Sequence, residues 1–223
     1  MAADDEPTNF LYPFIDAQED DPTSLLADLA ASAQAKAAES LALRRSTVEA
    51  NADLLDRAAT EMARRFTAGG RMFTFGNGGS CTDSTTLTRL FARPPIGKPL
   101  PAWSLTADQA IMTALGNDVG FDLVFARQLI ARARAGDIAI AMSTSGNSPN
   151  LLTALAEARQ RGLYTVGFAG YDGGAFLHNS NVDACFVVRS QSVHRIQESH
   201  ALLGYQLWLG THERIGDQGL GAA

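Results

Sequence analysis

The chain has 223 residues, 46% hydrophobic and 19% charged, with 20 Gly and 8 Pro, a composition whose default is one globular α/β domain. Its longest apolar run falls far short of the roughly 20 residues that cross a bilayer, and Met1 to Pro7 is acidic, so neither a membrane span nor a secretory signal is expected. Two cysteines, Cys81 and Cys185, without CxxC spacing, exclude a disulfide framework and a Cys-type structural zinc site, and a reducing cytoplasm is the expected compartment.

The net charge of -6 is unevenly distributed. Residues 1–22 hold seven acids and no Lys or Arg, which leaves the rest of the chain 18 basic and 17 acidic side chains, a net +1. A nearly neutral body without a basic cluster has no footprint for a nucleic-acid backbone, so direct nucleic-acid binding is not expected. Inside the acidic segment lies an apolar island, Phe10 to Ile15. The expectation is a disordered tail over 1–22, with residues 10–15 either resting on the protein's own surface or docking a protein partner.

From Ser24 onward apolar residues recur three and four apart: Leu25, Leu26, Leu29, Ala33, Leu41 and Leu43, then Val48, Leu54, Leu55, Ala58, Met62 and Phe66. The spacing predicts two amphipathic helices, the first capped by Asp21 or Thr23 and the second stopped by Gly69-Gly70. So many apolar positions point to helix-bundle packing between subunits.

After Gly70 strands and helices alternate. Strands are expected at Arg71–Phe75, Pro101–Leu105, Ile138–Met142, Tyr164–Ala169 and Ala184–Val188. Helices are expected at Ser80–Ala92, Ala107–Leu115, Phe121–Ala135, Pro149–Arg161 and Val193–Ile215. Ile138 to Met142 is apolar throughout, as in parallel strands covered by helices on both faces, and a five-stranded parallel sheet follows.

Two strand-to-helix loops share composition and position, Gly76-Asn77-Gly78-Gly79-Ser80 and Ser143-Thr144-Ser145-Gly146-Asn147-Ser148. In an open parallel sheet, ligands bind beyond the carboxyl ends of the strands, where both loops fall. Glycines free backbone N–H groups, hydroxyls add donors, and each following helix points its positive end at the same place. Ser148 as N-cap and Pro149 as first helical residue set the second helix start. The ligand implied is an anion held by neutral donors, as suits a sugar phosphate, since neither loop contains Lys or Arg. A dinucleotide fingerprint would need Gly where Cys81 stands, and the Gly-Lys-Ser/Thr of a triphosphate loop occurs nowhere.

Together with Gly116-Asn117-Asp118, Gly170-Tyr171-Asp172-Gly173-Gly174 and Arg195-Ile196-Gln197-Glu198-Ser199-His200, in that order, these loops resemble the sugar isomerase (SIS) domain of bacterial phosphoheptose isomerases. The resemblance spans about Ser24 to Ile215. It implies a flavodoxin-like, three-layer αβα sandwich with added N-terminal helices, a single domain over 23–223 behind the tail. It also implies a homotetramer with active sites between subunits that converts sedoheptulose 7-phosphate to heptose 7-phosphate. The same subfamily includes a non-enzymatic tetramer that binds the replication initiator DnaA, so membership alone does not establish catalysis.

Carried over by position, the resemblance assigns Ser80, Ser143, Thr144, Ser145 and Ser148 to the phosphate. Gly78 joins them in the first loop, Asn77 and Asp118 line the sugar site, and Gln197 meets the sugar. Aldose–ketose isomerisation moves a proton between neighbouring carbons and needs a base and a partner acid. In the resembling isomerases the base is a Glu, a zinc-binding His lies one turn before it, and the partner is a His on the last helix. This chain has Leu90, Thr86 and Tyr205 at those positions. No metal site and no cofactor are therefore expected. His194, His200 and Asp83 are the candidates for a rearranged acid/base pair. Two readings result: a tetrameric sugar-phosphate sensor or adaptor without the usual acid/base residues, or an active isomerase with rearranged ones.

Overall fold

The computed structural model describes residues 22–220, with side chains over 25–216. The expectations for the acidic segment and for Phe10 to Ile15 fall outside the described residues, except that Pro22 is already helical.

One helix, α1 (Pro22–Thr67), replaces the two expected. The polar stretch Arg44-Arg45-Ser46-Thr47 separates the two apolar patterns but contains neither Gly nor Pro. The Ser46 hydroxyl donates to the Leu43 carbonyl at 3.0 Å, so it is satisfied within the helix and offers the backbone no exit. Thr23 lies inside α1 rather than capping it. At the other end Gly69 adopts φ +83, and the Gly70 N–H reaches the Arg65 carbonyl at 2.8 Å, closing the helix where the glycine pair is expected to.

The chain divides after Ala42 into two units. The described part of the first is helix alone, with Leu25, Leu26, Leu29 and Leu41 between 41% and 67% exposed. The second unit holds the rest of α1 and everything after it. Its elements are β1 (Met72–Gly76), α2 (Gly79–Ala92), β2 (Ala102–Ser104), α3 (Gln109–Asp118), α4 (Val124–Arg132), β3 (Ile138–Met142), α5 (Pro149–Gln160), β4 (Tyr164–Gly170), α6 (Gly174–His178), β5 (Ala184–Val188) and α7 (Val193–Leu220).

The five strands form one parallel sheet in the order β2-β1-β3-β4-β5. Because successive side chains point to opposite faces, each central strand feeds two cores. Ile138, Ile140 and Met142 join one cluster with Leu55 and Met62 of α1 and Trp208 of α7. Ala139 and Ala141 join the other with Phe125 of α4 and Leu155 of α5. This is the three-layer αβα arrangement expected from the wholly apolar strands.

Several boundaries differ from expectation for local reasons. Phe121 to Leu123 is a 3₁₀ turn ahead of α4, and α4 ends at Arg132 instead of continuing to Ala135. The buried Asp137 carboxylate accepts the Arg134 backbone N–H at 2.9 Å and draws the chain out of helical conformation. The same carboxylate accepts the Arg71 backbone N–H at 2.9 Å and its guanidinium at 2.8 Å, tying the starts of β1 and β3 together. Helix α7 runs past Ile215, its expected end, to Leu220. Helix α6 is unexpected; five residues are too few to show a helical period. Cys185 is only partly buried because β5 is an edge strand.

Candidate functional site

The sheet order places the topological switch between β1 and β3, whose following chains leave toward opposite faces, and a crevice opens at the carboxyl ends of such a pair. Gly76 at the end of β1 pairs in register with Met142 at the end of β3, so the two Gly/Ser loops leave the sheet side by side. Thr74 of β1 fixes α2 behind the first loop: its hydroxyl donates to the Ser84 carbonyl at 2.8 Å and lies 2.6 Å from the Thr88 hydroxyl.

In the first loop Gly78 is the residue before α2, with φ 54, and Ser80 in the first helical turn is buried at 4% exposure. A Cβ at Gly79 would stand 2.5 Å from Nε2 of Gln197, whose side chain lies across the loop and would have to shift to admit it. That same Nε2 donates to the Asp83 carboxylate at 2.8 Å, and burial pushes the Asp83 pKa up. Gln197 thus spans from the loop backbone to α2.

In the second loop the Ser143 hydroxyl accepts the Gly146 N–H at 3.0 Å, and the Ser145 hydroxyl accepts the Asn147 N–H at 3.3 Å. Ser148 occupies the N-cap position of α5 with Pro149 next, but its hydroxyl makes no capping bond. The 170–174 turn is stitched to this loop. Asn147 accepts the Ala175 N–H at 2.7 Å, and the Gly146 carbonyl accepts the Phe176 N–H at 3.1 Å.

The two loops are also braced to each other, through a residue the sequence did not single out. Asn77 Nδ2 donates to Asn150 Oδ1 at 2.8 Å, and Asn150 Nδ2 donates back to Asn77 Oδ1 at 3.0 Å. Asn150, in the first turn of α5, is 1% exposed. Asn77 therefore spends its amide on joining the loops. No local pattern marks Asn150, because its partner is 73 residues away.

The remaining candidates separate in space. Asp118 is exposed at the end of α3, and its carboxylate accepts from Asn117 at 2.9 Å. His194 is exposed in the first turn of α7. His200 is wholly buried, its Nε2 3.1 Å from the Ala169 carbonyl and its ring edge-on to Phe168. Burial lowers its pKa to about 4, so the ring is neutral and Nε2 carries the donated hydrogen. His200 thus packs inside its own chain.

Beside the two loops lies a cavity of about 80 Å³. Leu90, Thr86 and Tyr205 line it, with Leu87, Met142 and Ala201 as further walls and Asp83 and His200 at its polar edge. Among the described residues, no group of three or more His, Cys, Asp or Glu side chains is placed to hold a metal ion. The donor set at this cavity does not fit the zinc that the resemblance implies.

The SIS domain model matches residues 37–170, more than half of the chain. The chain belongs to the SIS domain family. Within it the chain is of the phosphoheptose isomerase type. It is 42% identical over 175 residues to a phosphoheptose isomerase from Solidesulfovibrio magneticus, covering 76% of this chain and 82% of that protein. A phosphoheptose isomerase from Roseiflexus sp. is 39% identical over 170 residues, covering 74% and 84%. Among solved structures, a phosphoheptose isomerase from Neisseria gonorrhoeae matches at a TM-score of 0.76 and 31% identity, over 83% of this chain and 99% of that one. Another from Francisella tularensis gives 0.77 and 29%, over 82% and 98%. No helix among the described residues is long and apolar enough to cross a membrane.

Proposed function

We propose that this protein binds a sugar phosphate over its two Gly/Ser loops and acts as a tetrameric sensor or adaptor, without the acid/base set of the isomerases it resembles. The observation that carries the reading is the cavity where Leu90, Thr86 and Tyr205 meet. A carbon acid needs a base within hydrogen-bond reach of its proton, and a leucine at that place cannot supply one. The phosphate side is supported by loops that keep their form. Ser143 and Ser145 are oriented by backbone N–H groups, Ser148 has a hydroxyl not used in capping, and the Asn77–Asn150 brace fixes the distance between the loops. The first turns of α2 and α5 offer the N–H groups a helix leaves unpaired, and those favour an anion. Assembly is supported by the exposed leucines of the first unit, which a tetrameric bundle would cover.

The second reading, an isomerase with rearranged residues, rests on the names of the relatives and on Asp83, whose raised pKa suits a base. The experiment is titration with sedoheptulose 7-phosphate followed by thermal shift, beside turnover on the same compound. Stabilisation without turnover is expected. Turnover that Asp83→Asn abolishes establishes the second reading instead.

A further inference from the structure

The second Gly/Ser loop takes its shape from the segment after β4, residues 170–176, which holds three successive carbonyls of the loop. The Thr144 carbonyl accepts the Gly170 N–H at 2.9 Å, and the Gly146 carbonyl accepts the Phe176 N–H at 3.1 Å. Between them the Ser145 carbonyl stands so close to Gly174 that a Cβ there would run into its oxygen. Asn147 adds a side-chain tie, its Oδ1 accepting the Ala175 N–H at 2.7 Å.

A trans peptide points its N–H opposite to its carbonyl. Anchoring the carbonyls of 144, 145 and 146 on this segment therefore sends the N–H groups of 145, 146 and 147 to the other side. Two of them reach hydroxyls and orient them, Gly146 to Ser143 at 3.0 Å and Asn147 to Ser145 at 3.3 Å. The backbone N–H groups of Ser145 and Ser148 make no hydrogen bond among the described residues. Successive N–H groups turned to one side make an anion-binding concavity, and a carbonyl swung round to that side would repel the anion.

We propose that the 170–176 segment positions the phosphate cradle, with Gly174 and Asn147 as positioning residues that act on the ligand through the backbone of 144–147 and do not touch it. The inference rests on the reading of the two loops as the phosphate site. Gly174 leaves room for the Ser145 carbonyl on the side away from the ligand, and Asn147 ties the far end of the loop to the first turn of α6. Asn147 and Ala175 are both exposed, so breaking their bond lets water take up the freed N–H and leaves the fold standing.

The test is a double-variant cycle on the full-length protein, read by calorimetric titration with inorganic phosphate and with sedoheptulose 7-phosphate. Asn147→Ala removes the acceptor of the tie, and Ala175→Pro removes its donor from the other side, in a first helical turn where proline is tolerated. Each variant is expected to weaken both ligands about fivefold or more, by the same factor, with the unliganded melting temperature nearly unchanged. The double variant should bind no worse than either single one, because both break the same tie. Wild-type affinity in either variant overturns the proposal; if Ala175→Pro alone keeps it, Asn147 touches the ligand itself. Losses that multiply in the double variant overturn it as well. If Ala175→Pro does not fold, hydrogen exchange at the Phe176 amide of unliganded Asn147→Ala decides: exchange faster than in the unaltered protein is expected of a loosened loop, and unchanged exchange overturns the proposal. If the unaltered protein binds neither compound, the phosphate reading fails and the positioning role with it.

Discussion

The brace between Asn77 and Asn150 makes an unequal prediction for its two halves. The partners share the same two hydrogen bonds, at 2.8 and 3.0 Å, but Asn150 is 1% exposed while Asn77 is half-buried. Asn150→Ala removes two bonds worth about 1 kcal/mol each, and Asn77 recovers part of that by turning to water, so the cost is about 1–2 kcal/mol. Asn77→Ala removes the same two bonds and strands a buried amide, adding about 1–3 kcal/mol of uncompensated desolvation for a total of about 3–5 kcal/mol. The double variant no longer contains the stranded group and should return to about 2 kcal/mol, less than Asn77→Ala alone. Urea unfolding of the four proteins, compared by midpoint at constant slope, reads this directly. Additive single costs, or a larger cost for Asn150→Ala than for Asn77→Ala, would refute the account of the brace.

Other consequences follow from charge and burial. His200 is held down at about 4 from an ordinary 6.5, so the unfolded chain takes up a proton that the folded chain refuses. Stability from this group is complete above pH 6.5 and falls by about 3 kcal/mol as the pH drops toward 4; a His200→Gln variant, if it folds, should lose that slope in a urea series against pH. Glu61, lowered to about 2 by its hydrogen bonds to Arg64 and Arg65, contributes stability that is present above about 4.5 and lost only below it, a separate window. Asp137→Ala leaves four N–H donors around a buried site and should cost about 3–5 kcal/mol in the same unfolding assay. Ser145→Glu or Ser148→Glu should abolish stabilisation by sugar phosphates in thermal shift while leaving the unliganded melting temperature nearly unchanged.

The fold was legible where a residue's chemistry leaves the backbone little choice. Pro149 fixes its own φ and has no N–H to lose, so the start of α5 follows from Ser148-Pro149. Ile138 to Met142, apolar at every position, reads as a central parallel strand and is one. Features decided by which of several local hydrogen bonds forms were not legible. The continuity of α1 through Ser46 depends on a hydroxyl turning back to Leu43, and the end of α4 depends on Asp137 capturing the Arg134 N–H. Of the candidate site, the two loops stood out by composition and sit side by side because β1 and β3 are neighbours. Asn150 required the pairing of β1 with β3, which brings the start of α5 beside the first loop, and the convergence of Leu90, Thr86 and Tyr205 on one cavity required the packing of α2 against α7.

The central claim is that the phosphate loops bind while the proton-transfer chemistry is missing, and nuclear magnetic resonance of sedoheptulose 7-phosphate in deuterium oxide tests both halves in one sample. Isomerisation through an enediol exchanges a carbon-bound proton with solvent, so any working base writes deuterium into the sugar. Loss of a general base alone costs about 10²- to 10⁴-fold in rate. The account predicts a phosphorus resonance broadened by bound protein, no deuterium in the sugar and no heptose 7-phosphate. Deuterium incorporation at the rate of an ordinary isomerase would contradict it.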